Sequence, residues 1–151
     1  MVKPIPFRDT QYEAICFAIK AHEGQLDKVG EDYIQHPIAV AANMKKDGHD
    51  SDEILAVAIL HDVVEDTDTT IELIQKLFGD TISQAVEAIT KRNGEKYKDY
   101  LKRVKGNEIA YIVKLYDIAH NLSPARMCHL KTETRKRLVT KYTNALYYLH
   151  S

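Results

Sequence analysis

Cysteine is nearly missing from this chain: the two present, Cys16 and Cys128, stand far apart and show no CxxC spacing. That excludes a disulfide framework and a structural zinc site. Cys16 lies inside an apolar helical pattern, where a buried thiol acting as a small hydrophobe is expected. An excess of one charge is missing too. Lys and Arg total 21 against 22 Asp and Glu, a formal net charge of −1 with no long single-sign block. Nothing electrostatic therefore selects DNA, RNA or an anionic membrane as the main partner, and any nucleotide site must be local. No apolar run approaches the roughly 18 residues needed to span a bilayer. The opening Met1-Val2-Lys3-Pro4-Ile5-Pro6 has no signal-peptide apolar core, so a cytoplasmic protein is expected. No stretch alternates with period two for long enough to suggest a sheet, and no internal repeat or low-complexity segment occurs. At 151 residues the reading is one all-α domain spanning 1–151, with a real core.

What the chain does have is an unusual junction. The apolar run Ile54-Leu55-Ala56-Val57-Ala58-Ile59-Leu60 suggests a helix buried on most sides, and it ends in His61-Asp62-Val63-Val64-Glu65-Asp66. Ionisable groups at the end of such a run persist only when paired, hydrogen-bonded or bound to a metal. A bound cation is the simplest explanation. On a helix, His61 and Asp62 both reach one ion at the edge of a face, offering a nitrogen and an oxygen. Glu65 and Asp66 follow one turn later and are placed to hold a water beside it.

Caps and periodicity divide the rest into helices. Thr10-x-x-Glu13, Thr69-x-x-Glu72 and Thr81-x-x-Gln84 read as capping boxes. Ser51 or Asp50 caps the central apolar helix, and Asn107 caps a second apolar helix that contains Asp117 and Asn121 and ends at Pro124. Pro37 opens a helix immediately after His36. Residues 24–31 form a polar loop able to close over a ligand. A last helix over 133–149 carries Leu138, Tyr142, Ala145, Leu146 and Leu149 on one face and Arg135, Lys136, Arg137 and Lys141 on a basic face read as solvated.

Three places thus compete for a metal: His36, His61-Asp62 and Asp117. Two imidazoles and two carboxylates suit a first-row divalent ion with open positions, and hydrolysis follows from such a site. Each residue also has a plainer reading. His36 alone is a polar residue at a helix start, Asp117 alone is a partner for Lys114, and Glu65-Asp66 alone is an exposed helix end leading into Thr67-Asp68.

Several motifs, in order over residues 9–121, carry a resemblance. They are Ala21-His22-Glu23-Gly24-Gln25, Tyr33-Ile34-x-His36-Pro37, Leu60-His61-Asp62-Val63-Val64-Glu65-Asp66-Thr67, Phe78-Gly79, Thr90-Lys91 and Val113-Lys114-Leu115-x-Asp117-x-x-His120-Asn121. Together they resemble the hydrolase domain of the RelA/SpoT family, within the HD-domain phosphohydrolases. The resemblance implies an HD-type helical bundle of about eight helices and manganese-dependent removal of the 3′-pyrophosphate from ppGpp and pppGpp. It makes His36, His61, Asp62 and Asp117 the metal ligands. It gives Glu65 and Asp66 the positioning and deprotonation of the attacking water, Asn121 a ribose contact, and Lys28 a place near the base or phosphates.

The chain also departs from the family. Asp27-Lys28 stands where an Arg-Lys pair is common, Leu122-Ser123-Pro124 where Met-Arg-Thr often follows the asparagine, and Ile118 where an arginine is frequent. An acid cannot supply guanidinium stacking, so these changes bear on base and phosphate recognition and leave the metal and water machinery intact. A phosphatase acting on another phosphorylated nucleotide such as NADPH stays open beside the alarmone reading. So does a nucleotide-binding sensor whose catalysis has decayed.

Overall fold

The computed structural model describes residues 8–151; the Met1 to Pro6 stretch read above lies outside the described residues. Ten helical segments follow one another: α1 Asp9–Ala21, α2 Gln35–Lys46, α3 Asp52–Leu60, α4 Val63–Asp66, α5 Ile71–Phe78, α6 Asp80–Ile89, α7 Tyr97–Lys105, α8 Glu108–Asn121, α9 Pro124–Met127 and α10 Thr132–His150. Two of them, α4 and α9, are single turns of 4 residues. Eight longer helices remain, as the bundle reading requires. Among the described residues there is no strand, only an isolated Leu26–Asp32 bridge that pinches the loop between α1 and α2.

Helix α3 is the core of the bundle. All seven residues from Ile54 to Leu60 are buried, and the helix packs against α1, α2, α6 and α8. A helix enclosed on every side needs no polar face, which is why its run is unbroken. Burial of Leu55, Ile59 and Leu60 contributes about 1.5–3 kcal/mol each. Ser51 caps it, its hydroxyl accepting the Ile54 N–H at 3.3 Å. Buried Gln11 on α1 donates to Asp52 Oδ1 at 2.7 Å, tying the two helices together at the same end. Asn107 caps α8 as read, accepting the Ala110 N–H at 2.9 Å.

Several local expectations are corrected. Helix α1 begins one residue before Thr10, and the Arg8 N–H is taken by Gln11 Oε1 at 3.0 Å, so Thr10 and Glu13 form no box. Thr70, not Thr69, caps α5, accepting from Leu73 N–H at 3.2 Å. Helix α6 starts at Asp80, directly after Gly79 at φ 90°, which only glycine adopts without strain. Pro37 is the third residue of α2 rather than its first; its missing N–H still falls among the unpaired donors of the first turn. Cys16 is exposed, as is Cys128: it lies on the outer side of α1, and the apolar pattern around it is carried by buried Ala14 and Ala18. The last helix runs one residue beyond 133–149 at each end.

Candidate functional site

Helix α3 does not continue through the His61-Asp62-Val63-Val64-Glu65-Asp66 stretch. It stops at Leu60, turns at His61 and Asp62, and restarts as α4. The Asp66 N–H nevertheless donates to the Asp62 carbonyl at 3.0 Å, so the one-turn relation between those two acids survives the break. The turn delivers His61 and Asp62 from the end of α3 to the place where the first turn of α2 brings His36 and the later part of α8 brings Asp117.

One ligand atom from each of these four residues lies within 4.8 Å of all the others. His36 Nε2 is 2.8 Å from Asp117 Oδ1, His61 Nε2 is 3.3 Å from the same oxygen, and His61 Nε2 is 3.1 Å from Asp62 Oδ2. His36 and His61 are each 2% exposed and Asp117 5%, so these ionisable groups are taken out of water and depend on protein partners. His61 Nδ1 donates to the Ala58 carbonyl at 2.6 Å, which turns Nε2 toward the cluster. Two imidazole nitrogens and two carboxylate oxygens converging at this spacing are a donor set that fits a divalent first-row ion.

The surroundings favour ionised carboxylates. Burial pushes the Asp117 carboxyl up, but the Lys114 ammonium together with His36 and His61 outweighs it and holds Asp117 well below the usual range. Lys114 donates to Asp117 Oδ2 at 3.0 Å, so its pairing and the cluster use different oxygens of one carboxylate. The plainer reading of Asp117 and the metal reading are therefore compatible. Burial likewise raises Asp62, while the charge and hydrogen bond of His61 bring it down to about 2. The Tyr33 hydroxyl, unassigned in the sequence reading although it opens the Tyr33-Ile34-x-His36-Pro37 motif, donates to Asp62 Oδ2.

A cavity of about 410 Å³ opens onto the cluster, and His36, Asp62, Asp117, Glu65, Asp66, Asn121 and Lys28 all line it. That volume accommodates a nucleotide-sized molecule. Glu65 is fixed from outside α4, accepting the Lys91 N–H at 2.7 Å. Asp66 keeps an opening to solvent, yet burial, then the charges of Asp62 and Glu65, push its carboxyl up to about 6. A carboxylate with that affinity for protons, next to the cluster, is suited to accept one near neutral pH. Asn121 donates to Asp117 Oδ1 at 3.1 Å and presents the rest of its amide at the cavity wall.

The wall also holds cations that sequence reasoning left out. Lys91, Lys141 and Arg126 line the cavity beside Lys28 and Lys114. Lys141, read as part of a solvated face, sits with its ammonium 4.8 Å from the Tyr97 ring centroid and 5.6 Å from that of Tyr142. Burial lowers its proton affinity, and Lys114, Lys28 and Arg137 lower it further. Lys28 is shifted the same way by burial, Arg137 and Arg126. Like charges crowded along one wall make it a favourable place for an anion.

Arg126 and Asp27 explain one departure from the family pattern. Asp27 Oδ1 accepts the Val29 and Glu31 N–H groups at 2.9 and 3.0 Å, and its Oδ2 accepts from Arg126 Nη1 at 3.2 Å. The acid in the loop thus holds a guanidinium, supplied by α9, at the cavity wall. Ile118 is fully buried in the core and contributes nothing to the cavity lining. Pro124 opens α9, the turn that presents Arg126. Only the family pattern of the Asn121 segment hinted at a missing cation there, and nothing in the sequence pointed to Arg126.

Fold and site together define a class: an all-α bundle with a buried His/Asp cluster of metal-ligand composition at the base of a cation-walled cavity. A model of the HD domain matches residues 14–114, and the chain belongs to the HD domain family. The match takes in His36, His61 and Asp62. Among curated proteins the chain is 36% identical over 139 residues to a probable guanosine-3′,5′-bis(diphosphate) 3′-pyrophosphohydrolase of Synechocystis, covering 81% of this chain and 18% of that protein. It is 36% identical over 140 residues to the bifunctional (p)ppGpp synthase/hydrolase SpoT of Escherichia coli, covering 83% and 19%. It is 35% identical over 124 residues to the 3′-pyrophosphohydrolase MESH1 of Danio rerio, covering 77% and 69%. The chain therefore spans about a fifth of the length of the first of these relatives. A solved structure described as a metazoan ortholog of SpoT that hydrolyzes ppGpp superposes with a TM-score of 0.79 at 23% identity, covering 99% of this chain and 88% of that one. That likeness speaks for the fold.

Proposed function

We propose that this chain is a metal-dependent phosphohydrolase domain, spanning 1–151, that removes the 3′-pyrophosphate from ppGpp and pppGpp to leave GDP and GTP. One observation carries the reading: His36, Asp62 and Asp117 of the donor set line the same cavity as the Glu65-Asp66 pair, under a wall of lysines and an arginine. The names of the relatives, MESH1 above all because the chain spans most of it, supply the substrate.

His36, His61, Asp62 and Asp117 would hold the ion, with Mn2+ or another first-row divalent metal suited to the donors. Such an ion, when bound, supplies Lewis-acid polarisation of a phosphoryl oxygen and a more acidic water. The remaining work falls to the chain's own side chains. Asp66, ionised above pH about 6, takes the proton of the attacking water at its carboxylate. Glu65, tethered by the Lys91 N–H, orients that water. Lys91, Lys141 and Lys28 bind and orient the phosphates, and Asn121 contacts the ribose. Tyr33 steadies Asp62 through its hydroxyl.

The test is a panel assay. Purified protein with Mn2+, Zn2+, Ni2+ or no metal is given ppGpp, pppGpp and 2′- or 3′-phosphorylated nucleotides, with phosphate and pyrophosphate release read separately. Release of pyrophosphate from ppGpp with Mn2+ is expected; no release by protein shown to hold the metal overturns the alarmone assignment. The loop acid Asp27, held against Arg126, favours a second reading with altered base selectivity. Faster phosphate release from NADPH than pyrophosphate release from ppGpp would support it. Tight binding of ppGpp without turnover would instead favour a sensor.

A further inference from the structure

The His120-Asn121 pair of α8 contributes two side chains to the neighbourhood of the cluster, and the proposed chemistry uses only Asn121. His120 meets His36 edge to edge, ring centroids 4.9 Å apart and planes inclined by 25°. The two Nδ1 atoms lie 2.7 Å from each other. Two imidazole nitrogens come that close only when one carries a hydrogen and the other offers a bare lone pair. Which one carries it follows from the opposite edge of His36, where Nε2 faces Asp117 Oδ1 at 2.8 Å and is the atom available to an ion. Without an ion that 2.8 Å contact is an Nε2–H donated to the carboxylate; an ion bound between them requires Nε2 free of its proton, so in the loaded site the hydrogen of His36 resides on Nδ1. His120 Nδ1 is then its acceptor, and His120 carries its own hydrogen on Nε2.

The companion histidine shows what the arrangement does. His61 is held by the Ala58 carbonyl, an acceptor built into α3. His36 is the second residue of α2, and the carbonyl three residues before it, that of Tyr33, accepts the His36 backbone N–H at 3.1 Å rather than the ring. Its acceptor comes from 84 positions away in sequence, across the α2–α8 contact. We propose that His120 is a positioning residue of the ion site: its Nδ1 accepts the His36 Nδ1–H and so holds His36 in the tautomer and ring orientation that leave Nε2 free. The inference rests on the ligand set proposed above and is independent of the substrate.

The experiment measures Mn2+ affinity by titration calorimetry on the parent protein, His120→Phe and His120→Gln, with thermal melts to verify folding. Phenylalanine keeps a flat ring but removes the acceptor; the carbonyl of glutamine restores one. Loss of an outer partner of a ligating histidine lowers metal affinity about 10–100-fold, the fall expected for His120→Phe, while His120→Gln should stay within about threefold of the parent. Parent-like affinity in His120→Phe overturns the inference, as does an equal fall in both variants, which would make packing rather than hydrogen bonding the cause. A parent protein that binds none of Mn2+, Zn2+ or Ni2+ removes the ligand set itself and the inference with it. Long-range 1H–15N correlation on the Zn2+-loaded parent gives a reading that needs no variant. A hydrogen on His36 Nδ1 is expected, and one on His120 Nδ1 overturns the assignment.

Discussion

Replacing Lys114 by methionine keeps the buried aliphatic stem and deletes the charge facing Asp117. The pair spans 3.0 Å, with side chains 11% and 7% exposed, so each member has little water to fall back on. Removing one partner of a buried pair costs about 3–5 kcal/mol because the other charge is left uncompensated. Asp117 retains His36, His61 and Asn121 as neighbours on Oδ1, which places the loss near the lower bound, about 3 kcal/mol. For a chain of this size that is a fall of roughly 6–12 °C in Tm. The metal supplies the second half of the argument. An ion at the cluster brings back positive charge beside Asp117, so the loaded variant should recover part of its deficit. Every 1.4 kcal/mol recovered is about a tenfold gain in ion affinity over the parent. Melts with chelator and with saturating Mn2+, together with calorimetric titration, measure both quantities. A metal-free Tm unchanged by the substitution, or one lowered equally with and without metal, would refute the electrostatic account.

Three further outcomes are expected. Asp66→Asn should cut kcat by about 10²–10⁴-fold while sparing Mn2+ binding, and the parent rate should fall as pH drops below about 6, where Asp66 gains its proton. Because folding raises this carboxyl from 3.8 to about 6, the folded state binds the proton more tightly, and stability declines as pH rises through that window. Asp66→Asn should therefore melt no lower than the parent at pH 7, and a clear loss of Tm would contradict the raised affinity. Arg126→Ala should raise KM by about 10–100-fold, the worth of a charged hydrogen bond, with metal affinity unchanged; a kcat effect without a KM effect would move Arg126 out of the binding wall. Leu55→Ala, at the enclosed centre of α3, should cost about 2–5 kcal/mol in urea melts, and a loss below about 1 kcal/mol would mean that α3 is not the core.

The sequence was most legible where a residue contradicts its local setting. His61 and Asp62 end an apolar run, and Asp117 interrupts another, so the cost of burying them identifies a site before any coordinates are known. Caps were legible where one side chain decides them, as with Ser51 and Asn107, and misread by one position where Thr69 and Thr70 compete for the same role. Exposure was misread for Cys16, because a small apolar residue fits the inner and the outer side of an amphipathic pattern equally well.

By itself the sequence determined that the chain is helical, that α3 is buried on most sides, and that His61, Asp62 and Asp117 are ionisable groups set in apolar runs. Those are local properties of periodicity, composition and desolvation cost, and they need no partner to be defined. The tertiary structure alone decided that Asp27 meets Arg126 across 99 positions, that Lys141 turns into the cavity, and that His120 stands behind His36. Such pairings are set by how helices pack, and packing depends on the whole surface of each element rather than on any one stretch of chain.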